Sequence, residues 1–286
     1  MPDKNHMTFY IAVRRIRRIL LALVLLFFVF LALYPFVYMI LLSFIEKGHT
    51  MRLNPEYIKN AKWGISNFTK IYGSKTFPRY FLNSAITCVI SCLGTCTLSS
   101  MAAYAFAKKR FVGNNKIYML FMLTMMIPSQ VTLIPLYLQM RDMKLLNTYW
   151  ALSIPIACSA FGTVLLHSFM KGVPDELLES AEIDGCSELQ RFITIVIPLI
   201  KPALISLTIF TFISTWGDFL WPMISVTKQP MSTLTVGLTR LKNDNLAVDY
   251  GFVMAGATVS FMPPIILYAF LQKQFVEGIA LSGTKM

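Results

Sequence analysis

The sequence predicts an all-α membrane protein with six transmembrane helices. Composition is the first reason: 56% hydrophobic and only 14% charged residues, with a mean hydropathy of +0.60, leave a 286-residue chain too little polar surface for a water-soluble globule. The second is the spacing of apolar segments, at about 19–44, 84–106, 117–138, 150–170, 203–225 and 252–271, separated by charge-bearing loops. Each approximates the roughly 20 residues a helix needs to cross the hydrocarbon. The third is the lack of strand-like alternation. Lipid offers the backbone no hydrogen-bonding partner, so spans of this length must be helices.

The first span follows Arg14, Arg15, Arg17 and Arg18, and no charged side chain occurs between Ile19 and Ile45. That run is too long for a removable signal, and no small-x-small cleavage site follows it, so residues 1–18 are expected to remain as an N-terminal segment. Pro35, Pro128, Pro135, Pro155, Pro222, Pro263 and Pro264 predict kinked or broken spans, tolerable where neighbouring helices or a cavity satisfy the freed carbonyls. Orientation follows from lysine and arginine. The cluster before the first span and Lys108, Lys109 and Arg110 after the second place both termini in the cytoplasm. The opposite excess is spread over the long 46–80 loop, which holds seven Lys or Arg against two acids.

In this topology residues 171–202 form a cytoplasmic loop before the fifth span, and the loop is unusual. Six of the fourteen acidic residues lie in it: Asp175, Glu176, Glu179, Glu182, Asp184 and Glu188. Pro174, Asp175 and Glu176 suit a helix start, the acids favouring the positive end of the dipole. Leu177, Leu178 and Ala181 share one side, and Gly185 supplies a left-handed stop. Ser187 with Gln190 has capping-box spacing, so a second helix begins at once and runs toward Pro198. A short amphipathic helix of this kind is marginal alone and wants a partner. Spacing leaves a solvated helical loop equally open.

Glu179, Ser180 and Ala181, three residues, Gly185, nine residues, then Ile195 to Pro198 together resemble the EAA loop of binding-protein-dependent ABC importer permeases, E-A-A-x3-G-x9-I-x-L-P. Ser180 replaces the second Ala and Ile197 the Leu. Residues 77–84, 102–111, 126–137 and 216–224, with the C-terminal FVEGIALSGTKM, are also similar to the carbohydrate-importing branch. Within it the chain resembles the second permease subunit of maltose and multiple-sugar importers. The resemblance implies a type I importer permease fold, with the EAA loop as the coupling helix that docks in a cleft on an ATPase. Glu179, Ser180, Ala181, Asp184, Gly185, Ile195 and Pro198 are then the coupling residues. The implied partners are a second permease subunit, an ATPase dimer, an external solute-binding protein and a sugar. ATP and Mg would be bound by the ATPase, not by this chain.

Other residues carry weaker signals. Asp218 is the one acid well inside a span and lies between Trp216 and Trp221, so these three with Gln130 are candidates for the substrate path. Pairing of Asp218 with a neighbouring helix, or a place near the interface, is the other reading. Cys88, Cys92 and Cys96 extend to Ser84 and Ser100 at the same interval, which reads as a small-residue packing ridge rather than a metal site. His167 reads as an ordinary polar helix residue. Asn67 heads a glycosylation sequon by pattern only. No G-x4-G-K-[ST] and no catalytic constellation occurs in the sequence, which argues against an enzyme, and basic charge suited to membrane flanks gives nucleic-acid binding no support. A self-sufficient secondary transporter would need coupling-ion residues in the spans and usually an internal repeat, and no repeat is found.

Overall fold

The computed structural model describes residues 4–46, 55–241 and 249–283. Among them the regular elements are helical, apart from one bridge between Ile45 and Trp63. In chain order they are α1 (Lys4–Ser43), α2 (Pro55–Asn60), α3 (Ser66–Gly73), α4 (Phe77–Lys108), α5 (Asn114–Thr124), α6 (Ser129–Asp142), α7 (Tyr149–Ala157) and α8 (Ala160–Met170). There follow α9 (Asp175–Ile183), α10 (Glu188–Arg191), a π-helical turn (Phe192–Val196), α11 (Ile197–Leu199), α12 (Lys201–Gly217) and α13 (Leu220–Ser225). A 3-10 turn (Gln229–Met231), α14 (Leu234–Leu241) and α15 (Tyr250–Gly283) complete the order.

Among the described residues three helical stretches are long and apolar enough to cross a membrane unbroken: Arg14–Ser43, Phe77–Lys108 and Tyr250–Gln272. The segments expected at 117–138, 150–170 and 203–225 are not single rods. The first is α5 plus α6, bent by 101° where Pro128 precedes the second half; the second is α7 plus α8, bent by 42° just beyond Pro155. The third is preceded by a 78° bend between Glu188–Leu199 and Lys201–Gly217 and is interrupted again at Asp218. By contrast α15 runs through Pro263 and Pro264.

By backbone packing the chain divides into Met1–Ile71 with Asn245–Val259, and Tyr72–Asp244 with Ser260–Met286. In the first unit the Asn67 amide is fully buried and donates to the carbonyls of Ser43 at 3.0 Å and Ile45 at 2.9 Å. The sequon asparagine is thus a structural brace. Within the same unit, none of the most apolar stretch of α1 is buried.

In the larger unit α7, α8 and α12 all pack on α4. Small polar residues on two faces of α4 allow the approach. Cys92 and Cys96 reach Thr208 of α12, at its carbonyl (3.7 Å) and its hydroxyl (3.3 Å), and Cys88 lies 4.0 Å from the Phe212 carbonyl. On the other face Thr95 donates to the Ile156 carbonyl at 3.0 Å and Ser99 to that of Ser159 at 3.4 Å. Interhelical bonds of this type average about 0.6 kcal/mol each in a membrane. Gly162 sets the α4–α8 distance, since a Cβ there would lie 2.5 Å from Ser99 Oγ. The ridge extends to Ser84, whose hydroxyl accepts from Leu234 N, whereas Ser100 bonds back to Thr97 of its own helix.

Proline explains three further long-range bonds. A proline has no N–H for the carbonyl four residues before it. Pro155 therefore frees the Ala151 carbonyl, and the Trp221 indole donates to it at 2.9 Å. Pro264 frees that of Ser260, which accepts from the Trp216 indole at 2.8 Å. Pro222 frees that of Asp218, met by the Thr235 hydroxyl at 2.7 Å. Each helix defect is closed by a donor from another part of the chain.

Candidate functional site

The acidic segment folds as a hairpin. α9 begins at Asp175, with Pro174 as its N-cap and Asp175 and Glu176 in the first turn. Leu178 and Ala181 turn inward. Leu177 instead stays 45% exposed, and Ile183, on the outward face with Glu176 and Glu179, is 87% exposed. Ser180, the departure from the EAA consensus, bonds its hydroxyl to Glu176 O at 2.7 Å, so the extra polar group is satisfied on its own helix. Gly185 has φ +81°, where a side chain is strained, and Gly185 N and Cys186 N close on Glu182 O (3.0 Å) and Ala181 O (2.9 Å). Ser187 and Gln190 then form both bonds of the capping box. Beyond it the helix passes into the π turn, a feature frequent at functional positions.

The base of the hairpin is buried in one apolar cluster. Leu178, Val196 and Ile200 join Ala103 of α4, Leu166 and Met170 of α8, and Ala203 and Leu207 of α12, with Ile195 packed against them. Complete burial of such side chains stabilises by about 1.5–3 kcal/mol each. Pro198 stays exposed at the start of α11.

Charge fastens the same base to α4. Lys108, its side chain only 5% exposed, places Nζ 2.6 Å from Asp175 Oδ1 and 2.5 Å from the Val173 carbonyl. Lys109 Nζ lies 2.6 Å from Glu188 Oε2, and the Tyr104 hydroxyl donates to Glu188 Oε1. Arg191, buried, bridges the two arms, pairing with Glu182 of α9 and, at 2.8 Å, with Glu188. Partial burial pushes the Glu188 carboxyl up, yet the hydrogen bonds from Lys109 and Tyr104 and the charges of Lys109 and Arg191 outweigh it and hold it below the usual carboxylate range. The six acids therefore divide. Asp175, Glu182 and Glu188 form an internal clasp, whereas Glu176, Glu179 and Asp184 are exposed with no ion-pair partner among the described residues.

Of the candidates for the substrate path, the two tryptophans are buried. Trp216 and Trp221 are each 6% exposed, and their N–H groups are committed to carbonyls of their own fold. Trp216 stacks on Phe212 with ring centroids 5.4 Å apart. Asp218 caps the break between α12 and α13, its carboxylate facing the backbone N–H groups of Trp221, Leu220 and Phe219. Gln130 is exposed in the first turn of α6. His167 is 5% exposed, with its ring 4.1 Å from that of Tyr118.

A family model described as the inner membrane component of binding-protein-dependent transport systems matches residues 96–280, a span that includes the hairpin and its clasp. The chain belongs to that family. This permease is 30% identical over 266 residues to the arabinooligosaccharides transport system permease protein AraQ of Halalkalibacterium halodurans, covering 91% of this chain and 93% of that protein. It is 32% identical over 207 residues to the sn-glycerol-3-phosphate transport system permease protein UgpE of Escherichia coli, covering 72% and 74%. Among solved structures it resembles a chain of a bacterial ABC transporter involved in the import of the acidic polysaccharide alginate, with a TM-score of 0.79 and 27% identity over 91% of this chain and 97% of that one. Members of this family are inner membrane components of transport systems.

Lys108, Lys109, Tyr104 and Arg191 are the site residues that sequence reasoning missed. The signal was present: a KKR cluster and an acid cluster of opposite sign flank the same face of a predicted bundle. The lysines read only as topology markers because their partners lie 67 and 79 residues away.

Proposed function

We propose that this permease is the second membrane subunit of an ATP-driven importer that takes a sugar or oligosaccharide across the cytoplasmic membrane. Six spans cross the bilayer, with each bent pair counted as one and both termini in the cytoplasm. The 171–202 loop receives the motor. The observation that carries the reading is the outward face of α9, where an 87% exposed Ile183 stands among the unpaired Glu176, Glu179 and Asp184 on a helix rigidly fixed at its base. Such a face suits a groove with an apolar floor and basic rim on a separate ATPase, which holds ATP and Mg. Glu179, Ser180, Ala181 and Asp184 make or border the contact; Gly185 sets its turn, and Ile195 and Pro198 seat the second arm.

The exposed apolar surface of the spans meets lipid and a second permease subunit. A solute-binding protein docks on the opposite face, where exposed Lys75 and Arg79 line a recess of about 140 Å3 with Gln229 and Pro230. Gln130 faces the solute path, with Trp216, Trp221 and Asp218 shaping its wall from behind. The relatives named for arabinooligosaccharides and alginate favour a sugar; the one named for sn-glycerol-3-phosphate supplies the competing solute class.

Co-expression with the second permease, ATPase and binding protein, followed by reconstitution in liposomes, tests this. Labelled oligosaccharide is expected to enter only with internal ATP and the binding protein present, and Glu179→Lys or Gly185→Pro to weaken ATPase co-purification while insertion persists. Uptake driven by an ion gradient without ATP would make the chain a secondary transporter instead. Uptake of sn-glycerol-3-phosphate in place of sugars would keep the machine and change its cargo.

A further inference from the structure

α4 is latched at both ends. At its Lys108 end Tyr104, Lys108 and Lys109 hold the hairpin through Glu188 and Asp175. At its Phe77 end Asn83, 2% exposed, donates to the carbonyls of Pro230 and Ser232, both at 2.9 Å, and accepts from the Tyr149 hydroxyl at 2.8 Å. The adjacent Ser84 hydroxyl accepts from Leu234 N at 2.8 Å. These bonds seat the 229–234 turn on the end of the helix remote from the hairpin.

Between the latches α4 is one uninterrupted helix of 32 residues with its only proline in the first turn. At 1.5 Å per residue it spans roughly 48 Å. Its neighbours offer no comparable straight path: α7 and α8 are bent by 42°, and the hairpin joins α12 through a π turn and a 78° bend. A displacement of the hairpin meets a π turn and a bend on the α12 side. On the α4 side it must either part the clasp or move the whole helix, and with it the remote turn. Packed helices and hydrogen-bond networks of this kind can carry coupling between distant sites, and the coupling itself is what a double-variant test measures.

We propose that α4 is a rod carrying displacement between the coupling hairpin and the 229–234 turn, with Lys109 and Asn83 as the positioning residues of its two latches. The inference rests on the motor-docking role assigned above to the hairpin. Because linkage is reciprocal, a solute-binding protein engaging the turn changes the motor through the same rod by which the motor changes the turn.

The test uses the full complex of this chain, its partner permease, the ATPase dimer and the solute-binding protein in nanodiscs. The readout is ATP hydrolysis with the binding protein divided by hydrolysis without it. Asn83→Ala and Lys109→Ala are each expected to lower that ratio about fivefold, a typical coupling factor. The two positions lie about 39 Å apart along the helix. Independent sites so distant act independently, so separate effects would multiply to about 25-fold in the double variant. A shared rod, once cut, cannot be cut again, so the double variant should fall no lower than the worse single one. Lys109→Arg, which keeps the ion pair, should restore the ratio. If Asn83→Ala does not assemble, Ser84→Ala interrupts the same latch. A multiplicative loss, or an unchanged ratio in either single variant, overturns the rod. If the unaltered complex fails to retain its ATPase, the docking role itself is wrong and the rod falls with it, a result visible before any variant is compared.

Discussion

The two ends of α4 are held by opposite chemistry. At the hairpin end charged fasteners sit over a buried apolar cluster: Lys109 and Glu188 side chains are 41% and 45% exposed, whereas those of Lys108 and Arg191 are 5% and 10% exposed. At the far end, and through the spans beside it, they are neutral hydrogen bonds from Asn83, Trp216, Trp221 and Thr235 to carbonyls, buried or partly buried. A charged clasp responds to salt and protons and can open. A buried neutral bond to an otherwise unmet carbonyl responds to neither and holds position. Charge thus fastens the hairpin, and neutral bonds close the breaks in the helices.

The sharpest way to break this contrast is at the neutral end. Trp221→Ala should cost about 3–5 kcal/mol, a large-to-small change in a packed core, read as a lowered unfolding midpoint in detergent with no dependence on salt. Trp221→Phe keeps most of the ring and strands the Ala151 carbonyl, so about 1–3 kcal/mol is expected. Adding Pro155→Ala to Trp221→Phe supplies the missing N–H, and recovery of part of that loss would confirm its cause. At the hairpin, Gly185→Ala forces a side chain into the left-handed region for about 1–2 kcal/mol, visible as faster hydrogen exchange confined to 175–198. Lys109→Ala should cost at most about 1 kcal/mol in low salt and nothing in high salt, because the pair is half-exposed.

The smallest effect is the proton's. Glu188 is held below its ordinary value in the folded hairpin, so its contribution to the clasp is complete above the unfolded glutamate range and is lost as pH falls through the depressed folded value. The protection of hairpin amides, their exchange corrected for the intrinsic amide rate at each pH, should fall below about pH 4 and stay flat from there to neutrality, on the ordinary glutamate reference. Loss of protection already at pH 6 would assign the clasp to another group.

Local chemistry was legible in the sequence. The Gly185 stop and the Ser187–Gln190 box were readable because each is fixed by residues within four positions of one another, and the resemblance placed the hairpin in its family. Apolar segments were readable because hydropathy needs no partner. The bends were only half legible: Pro128 and Pro155 lie at or beside breaks, but α15 continues as one helix through Pro263 and Pro264. Trp216 and Trp221 resembled a sugar platform by spacing, whereas the fold spends their N–H groups on helix repair. Asp175, Glu182 and Glu188, half of the acids in the loop, are held by Lys108, Lys109 and Arg191, pairings that become visible only when α4 and the hairpin lie together.

The repair of broken spans by distant donors also constrains inheritance. Pro155 with Trp221, Pro264 with Trp216 and Pro222 with Thr235 each behave as one unit written in two places. A lineage that loses the donor while keeping the proline strands a carbonyl in the interior, so descendants should lose the proline before its donor or together with it.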